Sequence, residues 1–450
     1  MFRWLTRLLQ LAGKDSISFY ENLLFKRSSI VFATQFSGLA LAFAVNIFLA
    51  RLYGEDVYGI YSYITSWTAL LSVIALFGMD DVHLVRIPSL KLNHEKNNIV
   101  RLLRWSLSVN VVSIICVVAI FYFAVNFFVG GRLFANAFFF NCSLLIIVML
   151  TIMNNLIAFL RALDRVVWGE IIDKIIRPVL FLVLLIIFFY FANFNPVVKT
   201  ILANGFGLTG LIICMLIVII ASLKKLNSSA VSSQLDFSLR PNIRYVFLNI
   251  IYTLSIRLDI LMLGFFTPTL MVGHYNVAQR IGDIFLYPIA IINLSMPTLI
   301  STERHNNPGS SAASVLMRVS KNSFYQCMLI GSFFLVAGYW IMQWYGKGFT
   351  EAFPILIIFF ISCLVSAITG SADVFFIMEQ QEKKVIYCRL VSLTTTAIIA
   401  LILIPRWNMI GAAFSSLSGN IVYCALLELF FRRKYGFFVH PFSRLQNKIT

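Results

Sequence analysis

Apolar residues along this chain arrive in twelve blocks, each bounded by charged or turn-forming residues and each long enough to cross a bilayer as a helix. The blocks run over roughly 28–52, 58–79, 104–128, 134–160, 172–193, 200–223, 243–266, 274–300, 321–344, 351–377, 385–405 and 409–431. Every connection is short. One of the longer internal ones, at 224–242, contains Ser228-Ser229, Ser232-Ser233 and Pro241 and reads as a linker between two halves of six helices. An internal repeat agrees with that division. Tyr58-Gly59-Ile60-Tyr61 opens the second block, and Val272-Gly273-His274-Tyr275 opens the eighth, 214 residues later.

The pattern predicts an all-α polytopic membrane protein with about 12 transmembrane helices, in two six-helix lobes around a central cavity. The expected divisions are an interfacial amphipathic segment (1–27), an N-lobe (28–223), a cytoplasmic linker (224–242), a C-lobe (243–431) and a cytoplasmic tail (432–450). The first 27 residues mix Trp4, Leu5, Leu8 and Leu9 with Arg3, Arg7 and Lys14. They lack the long apolar run and cleavage site of a signal peptide and suit a helix lying on the inner leaflet.

Composition sharpens this picture. The chain is 60% hydrophobic and 12% charged, against about 25% charged residues in soluble proteins. A formal charge of +17 invites a nucleic-acid partner, but its placement does not. With twelve spans, 29 of the 36 Lys and Arg residues fall with the termini and the loops after even-numbered blocks. Five lie on the other side, and Arg257 and Arg280 lie within blocks. That asymmetry places both termini in the cytoplasm and leaves no nucleic-acid partner to explain. The seven cysteines are scattered singly through apolar stretches and read as small hydrophobes, without disulfide or metal spacing.

An ionisable residue deep in a span costs several kcal/mol, of order 3, unless it faces protein or water. Arg257 and Asp259 lie in the seventh block, and Arg280 and Asp283 in the eighth. At 1.5 Å per residue, Arg257 sits about 14 Å and Arg280 about 9 Å below the outer ends of their helices. These four are the candidate substrate-binding residues. The arginines suit a phosphate, because a planar, permanently charged fork matches its oxygens. The same four also fit ion pairs that lock helices together, Arg280 with Asp283 and Arg257 with Asp259. Asp80, Asp81 and Asp373 lie near the cytoplasmic ends of spans, and His274 reads as interfacial. Pro178, Pro288 and Pro297 are candidate kinks. No zinc-protease, P-loop or serine-hydrolase motif is present, so the expectation is a non-enzyme with no cofactor and no metal.

Phe48-Leu49-Ala50-Arg51-Leu52-Tyr53-Gly54, followed by Tyr58-Gly59-Ile60-Tyr61, resembles the opening of Wzx-type polysaccharide flippases. These form part of the multidrug/oligosaccharidyl-lipid/polysaccharide exporter superfamily. Arg257-Leu258-Asp259 with Leu263-Gly264, Val272 through Ile281, and Pro297 are similar to that family's seventh and eighth helices. Leu403-Ile404-Pro405 with Ile410-Gly411-Ala412-Ala413 is similar to its last two. The resemblance covers roughly 25–432. It implies alternating access and transport of an undecaprenyl-pyrophosphate-linked oligosaccharide for O-antigen or lipopolysaccharide-type assembly. The implied setting is a bacterial inner membrane, with membrane lipids and other polysaccharide-assembly proteins as partners. It also implies cavity cations that hold pyrophosphate, at positions matched by Arg257 and Arg280. By the 214-residue offset these correspond to Phe43 and Ser66, so the first half is expected to lack deep charge. Two rivals remain open: a cation- or drug-coupled antiporter on the same fold, and a polytopic polymerase or glycosyltransferase. The short outer loops argue against the enzyme.

Overall fold

The described part of every apolar block is largely helical in the computed structural model, which describes residues 17–128, 137–224, 240–293, 296 and 312–436. Residues 1–16, Pro297, the stretch 225–239 of the expected linker and the tail after Gly436 lie outside the described residues. Helix α1 spans Ile17–Tyr53 and α2 spans Glu55–Leu76. Gly54, at φ 89°, turns the chain between them, where a side chain would be strained. The short helix α3 (Met79–Leu92) leads to α4 (Lys96–Phe128) and α5 (Ala137–Ala162). Helix α6 (Val166–Ile171) runs through a π-turn at Ile172–Ile176 into α7 (Arg177–Phe191), and α8 (Pro196–Lys224) completes the N-lobe.

The C-lobe begins with α9 (Arg240–Phe266) and α10 (Thr269–Phe285). It continues with α11 (Ala312–Tyr345), a 3-10 turn at Gly348–Ala352, α12 (Phe353–Thr369) and the short α13 (Ala372–Met378). Helix α14 (Glu382–Tyr435) breaks at Asn408, whose φ of 48° and ψ of −125° divide it into the expected eleventh and twelfth spans. Among the described residues, nine helical stretches are long and apolar enough to cross a membrane. The break in α14 adds a tenth. The α6–α7 unit and α10 correspond to the fifth and eighth blocks, so the twelve-helix expectation holds. Their outward faces are apolar, with Phe123 71%, Leu329 76% and Phe191 86% exposed, as lipid-facing surfaces require.

Two of the expected kinks have a structural cause. Pro178 follows the π-turn, so the helix widens one turn before the residue that cannot donate a hydrogen bond. Pro288 follows a turn at Leu286 that ends α10.

The lobes meet along α2, which packs on α9 and α10. Gly59 and Gly273, the glycines of the internal repeat, face each other there. A Cβ on Gly273 would come within 2.9 Å of the Gly59 Cα, and one on Gly59 would overlap the Thr269 carbonyl oxygen. Small residues allow this backbone approach between membrane helices. At the charge-rich end, where loops carry most of the Lys and Arg, Asn249 of α9 donates to Asp81 of α3 at 3.0 Å. At the charge-poor end, Arg51 and Glu55 reach from the N-lobe to α10, α11 and the 3-10 turn.

Helix α3 lies between spans, and its polar groups are partly enclosed by α5. His83 is fully buried and shares a hydrogen bond of 3.0 Å with Asn155, and burial pulls its pKa down to about 4. Burial, with the neighbouring Asp81 carboxylate, pushes Asp80 up to about 6. The native state therefore holds the Asp80 proton more tightly than the unfolded chain does. The Asp80 contribution to stability is greatest below pH 4 and declines as pH rises through 6. Asp80→Asn is expected to stabilise the protein at pH 8 by about 2 kcal/mol, with the gain vanishing near pH 4. Thermal midpoints of the two proteins across that range check this. The loss of stability that His83 imposes as pH falls from 6.5 towards 4 is common to both and cancels.

Candidate functional site

A cavity of about 420 Å³ lies between the lobes, walled by α2, α5, α7 and α8 on one side and by α9 and α10 on the other. Three of its lining residues are Arg177, Arg257 and Arg280, and none is a carboxylate. The rest of the wall is largely hydroxyl and amide, including Thr65, Ser72, Asn154, Asn204 and Thr253.

The three guanidiniums differ in what holds them. Arg280 donates from Nε to the Asn276 Oδ1 one turn earlier, at 2.8 Å. The expected Arg280–Asp283 ion pair does not form, because the amide one turn towards the charge-poor end takes the contact. Arg257 makes no ion pair and no hydrogen bond with any described residue. It interacts electrostatically with Arg280 on one side and with Asp283 and Asp259 on the other. Arg177 pairs with Asp173 at 3.3 Å, four residues before it across the π-turn. Lys174 also binds Asp173, at 2.7 Å.

Arg177 corrects the expectation that the first half lacks deep charge. Arg177 is one of the Lys and Arg residues counted on the charge-rich side, although Ile175-Ile176 before it and Val179-Leu180 after it continue an apolar block. That flanking was the available signal. The π-turn at Ile172–Ile176 uses more residues per turn than an α-turn, which rotates Arg177 relative to the residues before it, and Arg177 lines the cavity.

Asp259 and Asp283 lie elsewhere. They line a second cavity of about 540 Å³ inside the C-lobe, which shares Tyr252 and Ile256 of α9 with the first. Asp259 is 5% exposed and accepts the Tyr275 hydroxyl at 2.7 Å and its own neighbour's Ile260 N–H at 2.8 Å. Its partner is therefore a tyrosine, where pairing with Arg257 was one expectation. Asp373 also lines this cavity, bound to Arg389 at 3.4 Å. The Arg389 guanidinium stacks on Tyr252 and Tyr423, at 5.3 and 4.9 Å from the ring centroids. The four expected residues thus divide into two arginines facing the cavity between the lobes and two aspartates facing the cavity behind it. His274 departs from the interfacial expectation. It is buried in the seam between the lobes, against Glu55 at 2.9 Å.

No group of three or more His, Cys, Asp or Glu stands close enough to hold a metal ion among the described residues.

No family model matches the chain, and no curated protein matches it with significance. Solved structures do. An inward-facing multidrug resistance MATE family transporter of the MOP superfamily superposes with a TM-score of 0.71 at 13% identity, covering 88% of this chain and 94% of its own. An outward-facing structure of such a transporter gives 0.63 at 12% identity, covering 90% and 94%. The lipid II flippase MurJ, in an inward closed conformation, gives 0.63 at 12% identity, covering 89% and 87%. A MOP superfamily transporter from Pyrococcus furiosus, described as having a binding pocket of reverse polarity, gives 0.64 at 13% identity, covering 90% and 94%. The chain therefore has the two-lobed fold of these transporters and is a multi-pass membrane protein.

Proposed function

We propose that this chain is a flippase of the same superfamily. Its cargo is an undecaprenyl-pyrophosphate-linked oligosaccharide repeat unit, moved from the cytoplasmic to the periplasmic leaflet of a bacterial inner membrane for surface polysaccharide assembly. The observation that carries this reading is the cavity between the lobes. Three arginines from both lobes line it, no carboxylate shares that lining, and Arg257 makes no ion pair or hydrogen bond with any described residue. An unpaired guanidinium in a low-dielectric cavity is costly unless an anion arrives, and a pyrophosphate bears the oxygens that fill such forks. The hydroxyl and amide wall offers hydrogen bonds to sugars, which cannot cross hydrocarbon alone.

In this reading Arg257 and Arg280 bind the pyrophosphate, and Arg177 completes the positive wall from the N-lobe. Asp259 and Asp283 balance Arg257 from the neighbouring cavity, keeping its charge tolerable when cargo is absent. The charge-rich end faces the cytoplasm. The lipid tail stays in the bilayer while rocking of the lobes moves the opening from one side to the other. The lipid II flippase among the structural neighbours supports a lipid-linked cargo on this fold.

Deleting the gene is expected to abolish one surface polysaccharide and to accumulate its lipid-linked repeat unit, both restored by a plasmid copy. If every surface glycan is unchanged in the deletion strain, this reading is wrong. One observation favours a cation-coupled antiporter, namely the carboxylates of the C-lobe cavity. That alternative requires Asp259→Asn and Asp283→Asn to abolish transport of a cationic drug while arginine substitutions leave it intact.

A further inference from the structure

The segment Arg51-Leu52-Tyr53-Gly54-Glu55 takes no part in the cargo site, yet it makes the densest set of polar contacts between the lobes. Arg51 donates from Nε to the Trp344 carbonyl and from Nη2 to the Gln343 carbonyl, both at 2.8 Å. These carbonyls belong to the last turn of α11, where a long helix presents unpaired acceptors and the negative end of its dipole. Glu55, four residues on, does the opposite. Its Oε1 accepts the Gly348 N–H at 3.1 Å, at the start of the next helical turn, where unpaired donors point outward. Its Oε2 accepts from the His274 ring at 2.9 Å. A cation on the carbonyl end and an anion on the N–H end thus grip the C-lobe on both sides of the break between Tyr345 and Gly348.

Three further contacts fit a seam held shut at this point. A Cβ on Gly348 would collide with the Glu55 carboxylate, so glycine keeps that seat open. Tyr58 packs edge-on against Tyr345 and Phe349, with centroids 6.0 and 5.6 Å away. Its hydroxyl donates to Asn276 Oδ1 at 3.3 Å, the same oxygen that holds Arg280.

We propose that Arg51 and Glu55 are the two prongs of a latch that keeps the charge-poor end of the cavity closed. Opening to that side breaks both prongs together, because Arg51 and Glu55 stand only four positions apart, on either side of the turn at Gly54. The latch stands whether or not the cargo is a lipid-linked sugar; only calling its side periplasmic rests on that reading.

The test is labelling of a Thr65→Cys reporter on the cavity wall by a membrane-impermeant maleimide applied from the charge-poor side of sealed vesicles, above the labelling of the parent chain. No cargo is added, so the outcome is independent of what is transported. Arg51→Ala and Glu55→Gln are each expected to raise labelling at least threefold. Gly348→Ala is expected to do the same from the C-lobe side by displacing Glu55, which keeps the test decisive if an N-lobe variant fails to fold. Lys199→Ala removes a charge whose contacts, with the Phe189 carbonyl and ring, stay within the N-lobe, and is expected to change nothing. If the three latch variants label like the parent while eluting as folded protein, the latch is overturned. An increase seen only with reagent on the charge-rich side overturns it as well.

Discussion

Arg280→Ala is expected to abolish surface polymer in a strain lacking its own copy of this gene, at normal protein level, while Arg280→Lys is expected to restore part of it. The same loss is expected of Arg257→Ala. A hydrogen bond to a charged group is worth about 1.5–3 kcal/mol, and an arginine fork supplies two. Losing one fork therefore costs of order 3 kcal/mol, roughly a hundredfold in cargo affinity. Lysine keeps the charge but holds phosphate as a single point, and it cannot donate to Asn276 from an Nε position, so rescue stays partial. Quantified surface polysaccharide, with the protein measured in the same membranes, decides it. Normal polymer from Arg280→Ala would make the contact with Asn276 purely structural. Arg257→Ala is the cleaner of the two, because Arg257 makes no hydrogen bond with any described residue, whereas Arg280 is bound to Asn276.

The second large effect is steric. Gly59→Ala drives a methyl into the Thr269 carbonyl oxygen, on backbone that has no flexible end to yield. Overpacking of this kind costs about 1–3 kcal/mol, and here it also pries α2 from α10 at the seam. A fall of several degrees in thermal midpoint is expected in detergent. Gly205→Ala is the matched control, since nothing lies within 4 Å of its missing Cβ. In a helix interior it is neutral or stabilising by up to about 1 kcal/mol. Equal midpoints for the two variants would mean that the lobes do not rest on Gly59 and Gly273.

The internal repeat shows how far local pattern reached towards these results. Tyr58-Gly59 and Val272-Gly273 stood out as copies, and the structure puts their glycines against each other across the lobe interface. The motif around Arg51 was legible as a family likeness, but its task was not, because its partners Gln343, Trp344 and Gly348 lie some 290 residues away.

Spans, their number and the sidedness of charge follow from the sequence alone, because crossing hydrocarbon is a local requirement on about 20 consecutive residues. The presence of intramembrane charge at 257, 259, 280 and 283 is legible for the same reason. Which way each charge faces is not. A helix buries one side by its rotation against neighbours, and that rotation is set by contacts distant in sequence. Only the tertiary structure could therefore send Arg257 and Arg280 to the cavity between the lobes and Asp259 and Asp283 to the cavity behind it. It alone brought Arg177 inward on a π-turn, since the widened turn leaves no mark in apolar periodicity. It alone buried His274 in the seam, because the acid it meets is supplied by the other lobe.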